Sequence, residues 1–250
     1  PRSIFAAHPE PVKERLVIIP TYNEKENIQA ILEQVIGLEG GFDVLVVDDG
    51  SPDGTGSIVK TAMAKAPGRI HILERSGKLG LGTAYIAGFK WAIAQGYQFI
   101  FEMDADFSHD PHDLLRLYAA CASDGADMSV GSRYVKGGQV KDWSWDRVML
   151  SYCASLYVRM ILWLGVRDTT AGFVCYRRHV LEALPLDEVK FVGYAFQIEM
   201  KYRVRLAGFR IAEVPITFVD RLKGKSKMNS GIFKEAILGV LQMRVRIPRP

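Results

Sequence analysis

Two aspartates one residue apart follow an apolar stretch in the middle of the chain. Residues 99–103 have the composition of a buried strand, and Asp104 and Asp106 come directly after it. A buried carboxylate must be hydrated, paired or bound to a metal, because an isolated buried charge is costly. Alternation along an extended chain sends both side chains to the same side, and two hard oxygen ligands suit Mg²⁺ or Mn²⁺ shared with substrate phosphates. The alternative is a strand end capped by acidic loop residues.

Strand-like and helix-like segments alternate through the first half of the chain and must position these aspartates. Apolar runs typical of buried strands lie at residues 16–19, 44–47, 70–73, 99–103 and 128–130. Segments with helical character lie at residues 26–35, 57–65, 83–95 and 111–122. This alternation predicts an α/β fold with a doubly wound, mostly parallel sheet flanked by helices. Ligands bind beyond the carboxyl ends of such strands, so the polar segments after the first, second and fourth strands should meet at one edge.

The side chains at this predicted edge suit a nucleotide. Tyr22 can stack on a base, Glu24 can accept a hydrogen bond, and the aspartates at residues 48–49 can accept hydrogen bonds from a base or a ribose. Lys78 precedes two glycines and can approach a phosphate where little side chain obstructs it, and Arg133 follows the fifth strand. Each residue also has an ordinary explanation, since clusters of Asn, Asp and Gly usually form turns.

Other motif assignments fail on spacing. An EF-hand loop starting at Asp104 would need Gly at its sixth position and Glu at its twelfth, where the chain has His109 and Leu115. A dinucleotide fingerprint starting at Gly80 would need a third Gly where Tyr85 stands. Acid phosphatase-like chemistry places its aspartate pair after the first strand, whereas here the pair follows the fourth.

Two amphipathic segments lie in the second half. Residues 146–164 and 232–243 place apolar side chains at close to helical spacing, with tryptophans flanking the first segment and arginines following the second. Such helices can cover the sheet, or they can lie at a membrane surface, which we favour for the last helix. From residue 221 onward Glu235 is the only acid against eight lysines and arginines, a pattern that suits phosphates or an acidic membrane face.

The composition narrows the classes further. With 250 residues and 48% hydrophobic content, the chain has enough apolar side chains for one sizeable core. Its net charge of +4 does not by itself imply nucleic acid, and the basic cluster follows carboxylate-bearing strand ends, so no nucleic-acid partner is expected. Cys121, Cys153 and Cys175 are few and far apart, which predicts reduced thiols and a cytosolic setting. Neither a secretory segment nor an apolar run of membrane-spanning length is expected.

Five short motifs occur in a fixed order along the first half. They are Pro20-Thr21-Tyr22-Asn23-Glu24, Asp48-Asp49-Gly50-Ser51-Pro52-Asp53-Gly54, Gly80-Leu81-Gly82-Thr83-Ala84, Met103-Asp104-Ala105-Asp106 with His109, and Gly131-Ser132-Arg133-Tyr134. Further matching segments lie at residues 171–173, 196–200, 213–218 and 224–227. Together the motifs resemble the family 2 inverting glycosyltransferases, and most closely the dolichol-phosphate (polyprenol-phosphate) mannose synthases. The resemblance runs from Leu16 to Leu241.

The resemblance implies a GT-A fold. Residues 15–229 would form a single catalytic domain, with a nucleotide-binding half at 15–133 and an acceptor-binding half at 134–229 that contains the amphipathic helix near 146–164. A flexible segment at 1–14 would precede this domain, and an amphipathic basic helix and tail at 230–250 would follow it. Some relatives continue into transmembrane helices; this chain resembles the short forms, which stay peripheral or depend on small membrane subunits.

The resemblance also implies roles for individual residues. The donor nucleotide would be bound by Pro20, Tyr22, Glu24, Val47, Asp49, Lys78 and Ala105. The catalytic residues would be Asp104, Asp106, Arg133 and Arg147. The two aspartates would hold Mg²⁺ or Mn²⁺, and the two arginines would bind the donor and acceptor phosphates. Relatives often have Gln at the position of Ser108, whose hydroxyl is a weaker third ligand. A closing basic loop on the acceptor phosphate would contain Arg221, Lys223 and Lys227.

The activity implied is a dolichyl-phosphate β-mannosyltransferase type of reaction. Mannose would pass from GDP-mannose to a polyprenyl or dolichyl monophosphate with inversion, giving a β-mannosyl phosphoryl polyprenol. The enzyme would work peripherally on the cytoplasmic face of a membrane, the inner membrane in a bacterium or the endoplasmic reticulum in a eukaryote. One alternative is a transferase that uses UDP-glucose or another UDP-hexose. Another is a non-catalytic subunit that binds nucleotide or membrane.

Overall fold

The computed structural model describes residues 13–220 and 230–247. The strands are β1 (Arg15–Thr21), β2 (Phe42–Asp48), β3 (Ile70–Glu74), β4 (Phe99–Glu102), β5 (Met128–Ser132), β6 (Gln139–Lys141), β7 (Val174–Arg177), β8 (Ile211–Pro215) and β9 (Thr217–Val219). The helices are α1 (Ile28–Gly37), α2 (Thr55–Lys65), α3 (Leu81–Ala94), α4 (Asp113–Ala122), α5 (Trp145–Leu162), α6 (Arg178–Ala183), α7 (Tyr194–Leu206) and α8 (Ser230–Arg246), with a 3₁₀ turn at Leu186–Glu188.

Seven strands form a central sheet in the order β3-β2-β1-β4-β7-β5-β8. Strand β7 is antiparallel to both of its neighbours, and the other pairings in this sheet are parallel. Strands β6 and β9 pair separately as a small parallel sheet. The chain winds outward from β1 through β2 to β3 and then crosses to β4 on the other side of β1. This reversal between β1 and β4 is the switch point at which doubly wound sheets bind ligands.

Strands β1, β2, β4 and β5 are buried on both faces along almost their whole length, which fits their nearly continuous apolar sequences. In β1, Val17 and Ile19 belong to a core beneath α1, α2 and α4, whereas Leu16 and Ile18 belong to a second core beneath α3, α6 and α7. Successive side chains of a strand point to opposite faces, so one apolar run supplies both cores. The predicted α/β, doubly wound, mostly parallel sheet with helices on both sides is confirmed.

Helices α5 and α8 form a further layer. Their inward side chains meet α7 in a third apolar cluster, which includes Val158, Leu162, Tyr202, Val240 and Met243. The two helices therefore pack against each other and against a helix that covers the sheet. No helix within the described residues is long and apolar enough to cross a membrane.

Strand β4 ends earlier than the sequence predicts, before the two aspartates. Strand β4 ends at Glu102, and the chain bends from Ala105 to His109. The chain is therefore not extended through Asp106, which lies in the bend, and the placement of both carboxylates on the same side stays a prediction.

Candidate active site

The loop after β4, residues 103–109, carries the two aspartates and is called the aspartate loop below. Asp104 is half-buried and Asp106 is buried. The backbone N–H of Ser108 donates to Asp106 Oδ1 over 3.0 Å, and Phe107 adopts a left-handed conformation with φ of 61°. Since that conformation is unfavourable for a bulky residue, the surrounding structure must impose it.

The donor set of the aspartate loop fits a cation shared with a substrate. Across residues 13–220 and 230–247, no group of three or more His, Cys, Asp or Glu side chains is placed to hold a metal. Two carboxylates with waters and phosphate oxygens are what Mg²⁺ commonly uses in place of an all-protein cage. The Ser108 N–H donates to Asp106, and the Ser108 carbonyl accepts from the N–H of Val219 over 3.2 Å. Its hydroxyl as a third ligand stays a prediction.

At the end of β2, the Asp48 carboxylate accepts hydrogen bonds from the polar segments that follow β1 and β2. Its Oδ1 accepts from the Thr21 hydroxyl at 2.8 Å and from the Ser51 hydroxyl at 2.6 Å, and its Oδ2 accepts from the Ser51 N–H at 3.0 Å. Both oxygens of this buried carboxylate are thus engaged within the protein. Asp48 therefore joins the first two polar segments at the sheet edge, and its contact with a base or ribose stays a prediction.

Asp49 is paired with an arginine that the sequence patterns do not single out. Arg75 Nε lies 2.7 Å from Asp49 Oδ1, and Arg75 Nη1 donates to the Thr83 hydroxyl at 2.8 Å. Arg75 thereby connects the end of β2 to the first turn of α3. Binding of a nucleotide by Asp49 stays a prediction.

Tyr22 and Lys78, both predicted to bind the donor, come together. The Lys78 ammonium lies 5.3 Å from the centroid of the Tyr22 ring, within cation–π range. Glu24 is nearby in sequence, and its Oε2 accepts from the Asn27 side chain at 3.2 Å. An aromatic face and an exposed cation beside a sheet edge can receive a base and a phosphate.

The remaining predicted donor contacts are apolar and lie along the same strands. Pro20 stands directly opposite Val47 in the pairing of β1 with β2. Ala105 is buried in the aspartate loop. The structure thus places these three residues at the carboxyl ends of neighbouring strands, where the nucleotide is predicted.

Arg133, at the end of β5, forms a buried ion pair with Asp168. Its Nε and Nη2 lie 2.7 and 2.6 Å from the two carboxylate oxygens, and its backbone N–H donates to the same carboxylate over 2.9 Å. The side chains are 7% and 0% exposed. Trp143 and Phe218 flank the guanidinium at 5.5 and 5.4 Å. Phosphate binding by Arg133 stays a prediction, and it would use a guanidinium already held by this pair.

Arg147 is more accessible. It lies in the first turn of α5, 3.9 Å from the centroid of the Trp143 ring, and its Nη1 donates to Asp220 over 2.8 Å. The Arg147 and Asp220 side chains are 32% and 35% exposed. A guanidinium stacked on one face and open to solvent can grip a phosphate through its edge. The predicted basic loop with Arg221, Lys223 and Lys227 lies outside the described residues.

His109 is the last residue of the aspartate loop, and its side chain is buried. Its ring stacks on Phe173 at 4.8 Å and contacts Phe218 edge-on at 5.3 Å. Burial lowers the pKa of His109 to about 4, against the opposing charge of Asp106. The ring is therefore uncharged near neutral pH.

A buried polar network lies beneath the same loop and was not predicted. Glu102 accepts from the Tyr176 hydroxyl at 3.0 Å and from the Gln197 amide, and the Lys201 ammonium donates to the Ala171 carbonyl at 2.6 Å. Burial raises the pKa of Glu102 and lowers that of Lys201. The network ties β4, β7 and α7 together two residues before Asp104.

The outward face of α5 carries an apolar stripe. Its exposed members, three or four residues apart, are Trp145, Met149, Tyr152, Leu156, Met160 and, just past the helix end, Trp163. On α8 the exposed apolar side chains are Leu238, Leu241 and Val245. Residues at this spacing share one helix face, so the apolar side predicted for residues 146–164 points partly to solvent.

The comparisons with known proteins agree with this architecture. The family model described as glycosyl transferase family 2 matches residues 16–184, and the chain belongs to that family. A polyprenol monophosphomannose synthase of Mycolicibacterium smegmatis is 47% identical over 236 residues, covering 94% of this chain and 89% of the relative. An undecaprenyl-phosphate mannosyltransferase of Micrococcus luteus is 48% identical over 225 residues, covering 90% and 91%. The predicted resemblance is confirmed.

Solved structures share the fold. One is a glucosyl-3-phosphoglycerate synthase from Mycobacterium tuberculosis in complex with Mn²⁺, uridine-diphosphate and glucosyl-3-phosphoglycerate. It superposes with a TM-score of 0.66 at 18% identity and covers 94% of this chain and 81% of that one. The GT-A type of fold implied by the motifs is confirmed.

Proposed function

We propose that this chain transfers mannose from GDP-mannose to the phosphate of a polyprenyl phosphate, with inversion. The observation that carries the proposal is the position of Asp104 and Asp106 beyond β4, at the switch point of a family 2 glycosyltransferase sheet. Relatives 47% and 48% identical over most of their length bear the names of mannosyl transfer to polyprenol and undecaprenyl phosphate. Residues 15–133 then serve the nucleotide, and residues 134–229 serve the acceptor.

On the donor side, the charge that develops on the leaving diphosphate must be stabilised. Tyr22 receives the base, and the exposed Lys78 beside it approaches a phosphate. Asp104 and Asp106 would hold Mg²⁺ or Mn²⁺, which would supply positive charge that stabilises the leaving diphosphate. The surrounding burial strengthens this electrostatic stabilisation.

On the acceptor side, the nucleophile is a phosphate oxygen that is already anionic near neutral pH. A strong general base is therefore not needed, and the buried, uncharged His109 is not required to act as one. The new bond joins that oxygen to the anomeric carbon, while the bond to the diphosphate breaks and its electron pair leaves with the diphosphate. A single displacement converts an α-linked donor into a β-linked product. Arg147 grips the acceptor phosphate.

The apolar stripe supports a site of action at a lipid surface. Trp145 and Trp163, 76% and 75% exposed, mark its two ends, and Arg147 lies two residues from the first of them. Aromatic side chains favour the membrane interface, where a prenyl tail stays in lipid while its phosphate reaches an arginine. We infer peripheral binding at the cytoplasmic face of a membrane, with small membrane subunits as potential partners.

A donor panel tests the proposal. The protein is incubated with a short-chain polyprenyl phosphate, Mg²⁺ or Mn²⁺, and GDP-mannose, UDP-glucose or UDP-GlcNAc, and the glycosyl-phosphoryl lipid is detected by mass. Asp106→Ala should abolish product, whereas Asp110→Asn is the matched control, because that carboxylate in the following turn is 61% exposed and contacts His112. Product from UDP-glucose alone would replace the donor with the UDP-hexose alternative. No product from any donor, with nucleotide still bound, would favour a non-catalytic subunit.

A further inference from the structure

Residues 167–171 hold the Arg133 guanidinium and are called the arginine-holding segment below. Besides the ion pair with Asp168, Arg133 Nη2 donates to the Thr170 hydroxyl over 3.0 Å. These five residues, all of which the structure describes, lie between α5 and β7 outside any helix or strand. Hydrogen bonds of regular secondary structure therefore do not fix the segment, and the side chains that do fix it decide where the guanidinium points.

Glu213 of β8 fixes the start of the arginine-holding segment. Its Oε2 accepts from the Arg167 N–H at 2.8 Å, and its Oε1 accepts from the Asp168 N–H at 3.0 Å. The two oxygens of one carboxylate thus bind consecutive main-chain N–H groups, and hydrogen bonds to an ionised acceptor are stronger than neutral ones. The second of these N–H groups belongs to the aspartate that pairs with Arg133.

The strand pairing places Glu213 and Arg133 in the same part of the sheet. Glu213 stands opposite Val130 in the parallel pairing of β8 with β5, and Arg133 directly follows the last residue of β5. The Glu213 carboxylate therefore ties the arginine-holding segment to the pair of strands that carries the arginine itself.

Buried side chains of two helices fix the rest of the segment. The Lys201 ammonium of α7 donates to the Ala171 carbonyl over 2.6 Å, and the Thr169 hydroxyl donates to the Ser155 hydroxyl of α5 over 3.3 Å. The side chains of all three polar residues are buried. Loss of the Glu213 charge should therefore leave the segment attached to α5 and α7 while loosening the end that carries Asp168.

Aromatic contacts connect Arg133 to the regions proposed to bind the donor and the acceptor. The Trp143 ring lies 5.5 Å from the Arg133 guanidinium and 3.9 Å from the Arg147 guanidinium. The Phe218 ring lies 5.4 Å from the Arg133 guanidinium and also contacts the His109 ring of the aspartate loop. The orientation of Arg133 is therefore set at a point between the aspartate loop and Arg147.

We propose that Glu213 is a positioning residue, which acts through Asp168 to orient the Arg133 guanidinium toward a substrate phosphate. This inference rests on the proposed function, in which Arg133 binds a phosphate of the donor or of the acceptor. Arginine binds phosphate through paired N–H groups of fixed geometry, so the direction of the guanidinium decides the strength of the contact. A misplacement of about 1 Å can lower a reaction rate roughly 100-fold.

Glu213→Gln tests the inference, because it removes the charge and one of the two acceptor oxygens while keeping the side-chain length. With GDP-mannose and a short-chain polyprenyl phosphate, kcat and the KM for each substrate are measured together with the midpoint of thermal unfolding. Glu213→Gln should lower kcat/KM roughly 10- to 100-fold, and the substrate whose KM changes more is the one whose phosphate Arg133 meets. Glu182→Gln is the matched control and should keep wild-type kinetics, because that carboxylate is 42% exposed and pairs with Arg178 on α6.

A double-mutant cycle with Arg133→Lys separates positioning of Arg133 from a general effect on the fold. Residues that act through one another have non-additive effects, whereas independent sites add. The loss of kcat/KM in the double variant should therefore be smaller than the product of the two single losses. If Arg133→Lys does not fold, Thr170→Val takes its place, since it removes a contact to the same guanidinium without removing a charge.

The outcomes distinguish this inference from the proposed function. A wild-type kcat/KM in Glu213→Gln, even with a lower unfolding midpoint, would overturn the role of Glu213 while leaving mannosyl transfer intact. Losses that multiply in the double variant would also overturn that role, since Glu213 would then act apart from Arg133. Wild-type protein that forms no glycosyl lipid from any donor would overturn the proposed function and this inference together.

Discussion

Replacing Asp168 by asparagine is expected to destabilise the fold strongly, because it removes the carboxylate that pairs with the buried Arg133 guanidinium. Asp168 is 0% exposed and accepts from three nitrogens of Arg133. An asparagine keeps the shape but removes the negative charge that faces the guanidinium. Breaking a buried ion pair from one side costs about 3–5 kcal/mol.

Thermal and urea unfolding measure this effect. For a chain of this size, about 1 kcal/mol shifts the midpoint by roughly 2–4 °C, so Asp168→Asn should lower it by roughly 6–20 °C. Asp220→Asn is the matched control, because its partner Arg147 is about one third exposed and such pairs contribute about 0–1 kcal/mol. Equal shifts in the two variants would refute the reasoning that the Arg133 pair is an essential part of the fold.

Three further predictions concern the packing of α3, the buried His109 and the apolar stripe of α5. Gly88→Ala should destabilise the protein by about 1–3 kcal/mol in denaturant unfolding, since its Cβ would lie 2.8 Å from a β1 side chain. Gly37→Ala, with open space around the new Cβ, should not destabilise it. Equal effects of the two substitutions would contradict the role of close packing at Gly88. The pKa of His109 is about 4 when folded and near 6.5 when unfolded, so the unfolded state binds more protons and stability should fall as pH drops from about 6.5 to 4, by up to about 3 kcal/mol. His109→Phe, measured in EDTA, should flatten that slope, and parallel curves would count against it. Trp163→Ser should reduce sedimentation with anionic vesicles more than Leu79→Ser, a residue 59% exposed outside the apolar stripe, and equal losses would argue against membrane docking through α5.

The first half of the fold could be predicted because its signals are local. The apolar runs of β1 to β5 and the periodic segments between them are long enough to be seen in the sequence, and the boundaries differ by a few residues. Strands β7 and β9 have only four and three residues, and β7 enters the sheet antiparallel between β4 and β5. Nothing in a four-residue apolar run indicates where in a sheet it inserts.

For the candidate site, the sequence predicts the side chains that follow strands but not the distant residues that pair with them. The carboxylates after β4 and the aromatic and basic side chains near β1 and α3 follow from their place after strands. The partners do not, because Asp168 lies 35 residues from Arg133 and Arg75 lies 26 residues from Asp49, and only the tertiary fold brings them together.

The anomeric configuration of the lipid product shows whether mannose reaches the lipid phosphate by a single inverting displacement. The protein is given GDP-mannose, a divalent cation and a short-chain polyprenyl phosphate, and the purified product is examined by nuclear magnetic resonance. A β-mannosyl phosphate formed without free mannose is the expected product. An α-linked product would contradict the single displacement at the aspartate loop, and free mannose as the main product would contradict the lipid phosphate as acceptor.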